Sequence, residues 1–285
     1  MGVPRVGYEK PVFFVPDGVS VTKSLDRTTH LAIACHPDDA EIGMFDGAVQ
    51  CYGSPDKWFY VVTVTDGAGS PAKGKYADFT PAEMTAKRQA EQIEAARIGQ
   101  YSGVCLLKYP SGSVKERERS YSVVDDLRKL ITRTEPAVVY THNPADKHPT
   151  HVATFLRVLH AMRDLKFVPD KFLGCEVWRD LDWLPEEYRR ALDVSGNEEL
   201  ARQMLEVYDS QIAGGKRYDL ATLGLRRAHA TYDQSHGVDT TTGIIYAMDL
   251  KPLLEASQRD VAGFMEEMIR AFSQEVMGGI SVGLR

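Results

Sequence analysis

Residues 32–43 read AIACHPDDAEIG, and His36, Asp38, Asp39 and Glu41 are crowded into positions 36–41. Carboxylates this close repel one another unless a cation stands among them. Zinc accepts nitrogen and carboxylate ligands, and a catalytic zinc keeps three protein ligands with a fourth position open to water. His36 and one neighbouring Asp supply two of the three. Pro37 stiffens the turn, and the i, i+3 spacing lets His36 and Asp39 converge on one point while Asp38 is free to accept a proton from a bound water. A second cluster, THNPADKHPTH (141–151), contributes His142, His148 and His151. His148 and His151 lie three residues apart across a proline that opens a helix, so both can face one cleft. One would bind the metal and the other, if protonated, would face the oxyanion of a tetrahedral intermediate; spacing leaves open which does which. His142, at the end of a strand, is a candidate pocket residue.

Both clusters need elements that bring them to one place. HLAIAC (30–35), WFYVVTVTDG (58–67), GVCLLKYP (103–110), PAVVYTHN (136–143) and GCEVWRDL (174–181) read as strands, the first two of a type suited to a sheet covered on both faces. Between them come DGAVQCYG (46–53), PAEMTAKRQAEQIEAARIG (81–99), YSVVDDLRKLITRT (121–134) and HVATFLRVLHAMRDL (151–165), which read as helices. In the helix at 81–99, Thr80 and Glu83 form a capping box, Pro81 takes the first position and Gly99 ends it. This alternation predicts a doubly wound, mostly parallel, Rossmann-like α/β sheet. Ligands then bind beyond the carboxyl ends of the strands, where topology alone puts both clusters. After residue 181 the pattern changes. Helices are expected over 197–215, 220–237 and 253–279, the last amphipathic, and a strand over GIIYAMDL (243–250). The expectation is one domain over 1–285, with a core at about 28–181 and a C-terminal elaboration at about 182–285.

Composition narrows the function. The 285 residues are 43% apolar, which suffices for a large core, and carry a net charge of −6 with no basic cluster, which argues against nucleic-acid binding. No apolar run approaches a membrane span. The N-terminus lacks a signal-peptide layout, and Val6 breaks a myristoylation pattern. Cysteines 35, 51, 105 and 175 form no CxxC pair, which fits reduced thiols in a cytoplasmic enzyme.

ACHPDDAEIG resembles the H-P-D-D-x-E signature of the LmbE/PIG-L-like zinc-dependent N-deacetylases, the N-acetylglucosaminyl de-N-acetylases. NPADKHPTH is similar to their second motif, D-x-H-P-D-H. VTVTDGAGS and the Arg88–Glu91 pair leading to AARIG also match, so the resemblance covers roughly residues 28–160. It implies His36, Asp39 and His151 as ligands of zinc or another divalent ion, Asp38 as general base, and His148 as the group that polarises the carbonyl. It implies Arg88 as a contact to sugar or phosphate, and Glu41 as a support that orients the metal loop. The implied reaction is hydrolysis of an acetamido group on an amino sugar or its conjugate, a linear amide C–N bond. The implied assembly is a homo-oligomer, trimer or hexamer, and segments of the C-terminal half, including His236, are implied to close over the substrate.

Two departures from the family pattern stand out. Thr150 replaces the Asp between the two histidines, so support of His148 would fall to another residue such as Asp146. Ser111 replaces an acidic sugar contact after Tyr-Pro. Two further readings are an amidase for a larger acyl or thiol conjugate of a sugar, and a metal-bound carbohydrate-binding protein without turnover. A nucleotide-binding Rossmann protein is disfavoured, because no G-x-G-x-x-G follows the first strand. His30, His160 and His229 read as structural, Cys35 as a small apolar residue, and Trp178 and Trp183 as core aromatics or sugar-stacking rings. The segment 68–81 reads as a lid or a surface excursion.

Overall fold

β-Branched and aromatic runs form the strands of one eight-stranded sheet in the computed structural model, which describes residues 8–116, 120–234, 236–255 and 260–284. The first half runs β1 (Val12–Phe14), α1 (Val21–Asp26), β2 (His30–Ala34), α2 (Asp39–Gly43), α3 (Phe45–Cys51), β3 (Phe59–Thr65), α4 (Pro81–Ile98) and β4 (Gly103–Tyr109). The middle runs α5 (Ser111–Lys115), α6 (Tyr121–Thr134), β5 (Val138–His142), α7 (Pro149–Leu165) and β6 (Lys171–Cys175). The remainder is β7 (Arg189–Asp193), α8 (Glu198–Glu206), α9 (Asp209–Ile212), α10 (Tyr218–Tyr232), β8 (Ile244–Asp249), α11 (Pro252–Glu255) and α12 (Val261–Gly283).

Strand order is β1-β4-β3-β2-β5-β6-β8-β7. The five strands from β4 to β6 are parallel, and antiparallel β1 and the β8–β7 pair extend the two edges. From β2 the chain moves outward to β3 and β4, then returns to place β5 on the other side of β2. That reversal between β2 and β5 is the switch point at which α/β sheets leave a crevice. The loops after β2 and β5 carry the two polar clusters.

Side chains alternate between the sheet's faces. Leu31, Ile33, Tyr60, Val62, Cys105 and Leu107 pack under Val123 and Leu127 of α6 and Phe155 and Leu159 of α7. Ala32, Ala34, Phe59, Val61, Val104 and Leu106 pack under Phe45 of α3, Ala96 of α4 and Met204 of α8. A side chain as deeply buried as Phe155 contributes about 2–3 kcal/mol of transfer free energy. The capping box at α4 is present, with Thr80 and Glu83 satisfying each other's backbone.

The expected strand 174–181 is displaced: β6 spans Lys171–Cys175, and Glu176–Trp178 leave the sheet to line a cleft. The expected helix 197–215 breaks into α8 and α9 at Tyr208, whose hydroxyl donates to the buried Glu41 carboxylate at 2.7 Å. The expected helix 220–237 is α10, ending at Tyr232. Of the expected helix 253–279, residues 256–259 lie outside those described, and Asp260 caps a new helix, α12, by accepting from Gly263 N–H. The 68–81 segment is tied down by Lys75, whose Nζ is 2.6 Å from Asp209 Oδ2. Among the described residues no helix is long and apolar enough to cross a membrane.

Candidate active site

β2 delivers its chain end to His36 and α2 begins at Asp39, while α7 starts at Pro149 with His148 as its N-cap. The two loops meet. His36 Nδ1 lies 3.0 Å from His151 Nε2, and Asp39 Oδ2 lies 3.2 Å from each of those nitrogens. These three edges suit a metal: four ligands about 2.0 Å from a zinc ion lie about 3.3 Å from one another in a tetrahedron. Two imidazole nitrogens that face each other this closely cannot both be bare acceptors, and one cation between them and Asp39 satisfies all three. Cys35 completes a group whose donor atoms all lie within 4.8 Å of one another, with its Sγ 3.6 Å from His36 Nε2, on the far edge of the ring.

Surrounding groups fix these rings. Asp146 Oδ2 is 3.4 Å from His151 Nδ1, which leaves Nε2 for the metal set. Asp146 also accepts from His148 N–H at 2.7 Å and from Trp178 N–H at 3.2 Å. His36 N–H donates to Asp39 Oδ2 at 2.7 Å. Burial lowers the affinity of His151 for a proton, but Asp39 and Asp146 outweigh it and hold the group up to about 9. For Asp39, burial acts upward, and His151, His36 and His142 together hold the carboxyl well below the usual range.

Asp38 has φ 93°, a left-handed conformation that costs a non-glycine residue about 1–3 kcal/mol. Its carboxylate is 3.2 Å from Arg88 Nη2, and Arg88 also donates to the Pro37 carbonyl. Burial pushes Asp38 up to about 8 despite Arg88, with Asp39 and Glu41 adding to the rise. A positive charge among the neighbouring ligands acts in the opposite direction. His148 Nδ1 accepts from Thr150 N–H at 3.3 Å, so its neutral ring carries a proton on Nε2. Burial, with His151 and His36, lowers the His148 pKa.

These residues open into a cleft of about 510 Å³. His36, Asp38, Asp39, Arg88, Ser111, His148 and Thr150, all singled out in the sequence, line it. Arg88 is buried and its guanidinium is engaged with Asp38 and the Pro37 carbonyl, so the structure gives it a positioning contact as well as a place on the wall. Glu41 lies behind the loop, where its carboxylate accepts from Gln92, Tyr101 and Tyr208.

Two expected substrate contacts fall elsewhere. His142 is fully buried behind the metal set: Cys35 N–H donates to its Nε2 at 2.9 Å, and its ring stacks on His151 with centroids 3.9 Å apart. Burial drops its pKa to about 3. His236 is exposed beyond the end of α10 and is not among the residues that line the cleft. The far wall comes instead from Tyr218, Thr222, Leu225 and Arg226 of α10, joined by Val177 and a 38%-exposed Trp178. The C-terminal half thus closes the cleft within the same chain. Spacing of i, i+4, i+7 and i+8 marks one face of α10, but its residue types carry no chemical signal of a site.

Residues 31–162 match the family model described as "PIG-L: GlcNAc-PI de-N-acetylase". No curated protein matches the sequence. Among solved structures, the N,N'-diacetylchitobiose deacetylase of Pyrococcus horikoshii is 19% identical, with TM-score 0.60 over 77% of this chain and 83% of that one. The conserved protein TT1542 of Thermus thermophilus is 20% identical, with TM-score 0.57 over 81% and 99%. The 4-carboxy-2-hydroxymuconate hydratase GalB of Pseudomonas putida KT2440 is 15% identical, with TM-score 0.58 over 78% and 95%. At such identities the likeness is one of fold, and the hydratase shows that this fold hosts more than one chemistry. Together with the shared α/β architecture, the match shows that residues 31–162 of this chain are a domain of the PIG-L (LmbE-like) deacetylase family.

Proposed function

We propose that the protein is a metal-dependent hydrolase that removes an N-acetyl group from an amino sugar or sugar conjugate. The observation that carries this reading is the convergence of His36, Asp39 and His151 at 3.0–3.2 Å with the Asp38 carboxylate beside them, in a PIG-L domain and at the wall of its cleft. The donor set of two imidazoles and one carboxylate suits zinc, which when bound would acidify a water and polarise the acyl carbonyl.

The chain's own groups then divide the work. Asp38 takes a proton from the attacking water as its oxygen bonds to the amide carbon, and returns it to the nitrogen as the C–N bond breaks. Arg88 holds the Asp38 side chain in place. His148, with Nδ1 occupied by Thr150 N–H, directs its Nε2–H to the oxygen that gains charge in the tetrahedral intermediate. Asp146 holds His148 and His151 in register, a role the Asp-to-Thr departure at 150 leaves to it. The four cysteines are free and buried, which accords with a reducing, cytoplasmic setting.

A second reading, an amidase for a larger acyl group, is favoured by one feature. Ile42, Val177, Leu225 and Ile245 give the cleft an apolar side that an acetyl group alone does not fill.

Acetate release from a panel of N-acetylated amino sugars by the zinc-loaded protein tests the first reading. Acetate release that falls about 10²–10⁴-fold in Asp38→Asn is the expected outcome. Release of hexanoate but not acetate from matched N-acyl glucosamines favours the second, and hydrolysis of neither contradicts both.

A further inference from the structure

Trp178 and Tyr218 meet on the cleft wall with their rings 85° apart and 6.0 Å between centroids. The Trp178 backbone N–H is bonded to Asp146, the carboxylate that also holds the His148 N–H. The indole therefore has a fixed place beside the His148 ring, with centroids 6.4 Å apart and planes 28° from parallel. Tyrosine hydroxyls in the body of this chain donate to carboxylates, as at Tyr101, Tyr140, Tyr208 and Tyr246. Tyr218 is half-buried, yet its hydroxyl has no hydrogen-bond partner among the described residues, and neither has the Trp178 indole N–H. Such groups usually find a partner once they leave water. Burial and the nearby carboxylates of Asp38 and Asp39 push the Tyr218 phenol up, which keeps it an O–H donor. Lys216 brings Nζ to 5.0 Å from the indole centroid, on an exposed side chain that an arriving ring can displace.

The residues that the family resemblance implies for sugar contact are spent or changed. The Arg88 guanidinium holds Asp38 and the Pro37 carbonyl, and Ser111 brings no carboxylate. Both aromatics lie beyond residues 31–162, so the family model does not describe them. We propose that Trp178 and Tyr218 form the subsite for the leaving amino sugar, with the C–H face of the pyranose on the indole and its hydroxyls held by Tyr218 Oη–H and Trp178 Nε1–H. This rests on the deacetylase reading and names the residues that select its sugar. The indole is close enough to His148 for a ring bonded to the amide nitrogen to lie on it while the acyl oxygen meets His148. An acyl chain fits this corner less well, because it would leave both donors unanswered. The apolar side at Ile42, Leu225 and Ile245 is left for the acyl group.

Titration calorimetry of the zinc-loaded protein with glucosamine, beside steady-state acetate release from N-acetylglucosamine, tests the proposal. Trp178→Ala, which retains the backbone N–H bonded to Asp146, should raise both Kd and KM at least about 10-fold. Tyr218→Phe should raise them about 3–10-fold, the cost of one hydrogen bond. In both variants kcat changes less than KM, and bound zinc and far-UV circular dichroism stay at wild-type values. Trp178→Phe, which keeps a ring, recovers part of the loss. Cyclohexylamine, a ring and an amine without hydroxyls, binds at least about 10-fold more weakly than glucosamine. Equal binding of the two amines, or a larger loss in Ser111→Ala than in either aromatic variant, overturns the proposal. Acetate release with KM untouched by Trp178→Ala and Tyr218→Phe removes the subsite and leaves the deacetylase reading standing. Glucosamine binding that depends on both aromatics, in a protein that hydrolyses no N-acetyl sugar, does the reverse.

Discussion

Asp146 is the side chain on which three parts of the site meet: the His151 ring, the His148 backbone and the Trp178 backbone on the cleft wall. Outer contacts of this kind set the tautomer and angle of a ligand imidazole. Asp146→Ala is therefore expected to weaken zinc binding about 10–100-fold, as read by competition with a chromogenic chelator. Unchanged affinity would remove Asp146 from the site's support. Asp38→Asn has a different signature. It keeps the metal ligands and removes the proton acceptor, so turnover should fall about 10²–10⁴-fold while bound zinc stays stoichiometric. At this scale the sequence is most readable where residue type itself carries the chemistry, as at His36, Asp39 and His151. It is least readable where neighbours decide. His142 has the right type and place but is claimed by the Cys35 amide, and Trp178 shows its exposure only once Glu176 has left the sheet.

Among the elements, α2 is the part on which the His36–Asp39 loop depends, and it is held from three sides. Glu41 is bonded to Gln92 of α4, to Tyr101 and to Tyr208, and Arg226 of α10 donates to the Glu41 and Ile42 carbonyls at 2.7 and 3.0 Å. On the remaining side, Gly43 lies so close to the 176–177 segment that an added Cβ would come 2.4 Å from the Glu176 carbonyl oxygen. Gly43→Ala should push α2 from the cleft wall, lower stability by about 1–3 kcal/mol as overpacking does, and weaken zinc binding with it. Chemical denaturation of the apo-protein reads the first effect and chelator competition the second; an Ala variant that matches the wild type in both would show that this contact is slack. Strand–helix alternation, the α4 capping box and the strands β2 to β5 could be read from pattern because each is a local signal. β1, β7 and the break at Tyr208 could not, since short edge strands are fixed by their partners and Tyr208 is fixed by a carboxylate far away in sequence.

For the whole molecule, the order of strands makes the site. The α/β alternation implied parallel strands with their carboxyl ends on one edge, which is why two motifs far apart in sequence could be expected there; the reversal that sets β2 beside β5 is visible only in the strand order. The antiparallel additions and the cleft wall from α10 depend on tertiary packing that no periodicity announces. At the opposite end of β2, His30 is buried against Tyr140 and near Lys57 and Lys171. Burial, aided by those two lysines, lowers its pKa to about 4 from an ordinary 6.5. The folded state thus keeps His30 neutral while the unfolded chain takes up a proton below about pH 6.5. Stability from this source is complete above pH 6.5 and drains away as pH falls toward 4, by about 2 kcal/mol once solvent screening is allowed for. Urea denaturation of the apo-protein across that range should show the loss, and His30→Gln should flatten it; an equally steep profile in the variant would assign the pH dependence to other groups.

The central claim is that His36, Asp39 and His151 hold one catalytic metal ion with Asp38 beside it as the base. Zinc content after dialysis, measured together with affinity by chelator competition for the wild type, Asp38→Asn and Asp39→Ala, tests it most directly. The account predicts one tightly held zinc per chain in the wild type and in Asp38→Asn, and at least about a 100-fold loss of affinity in Asp39→Ala. Wild-type affinity in Asp39→Ala, or loss of zinc in Asp38→Asn instead, would contradict it.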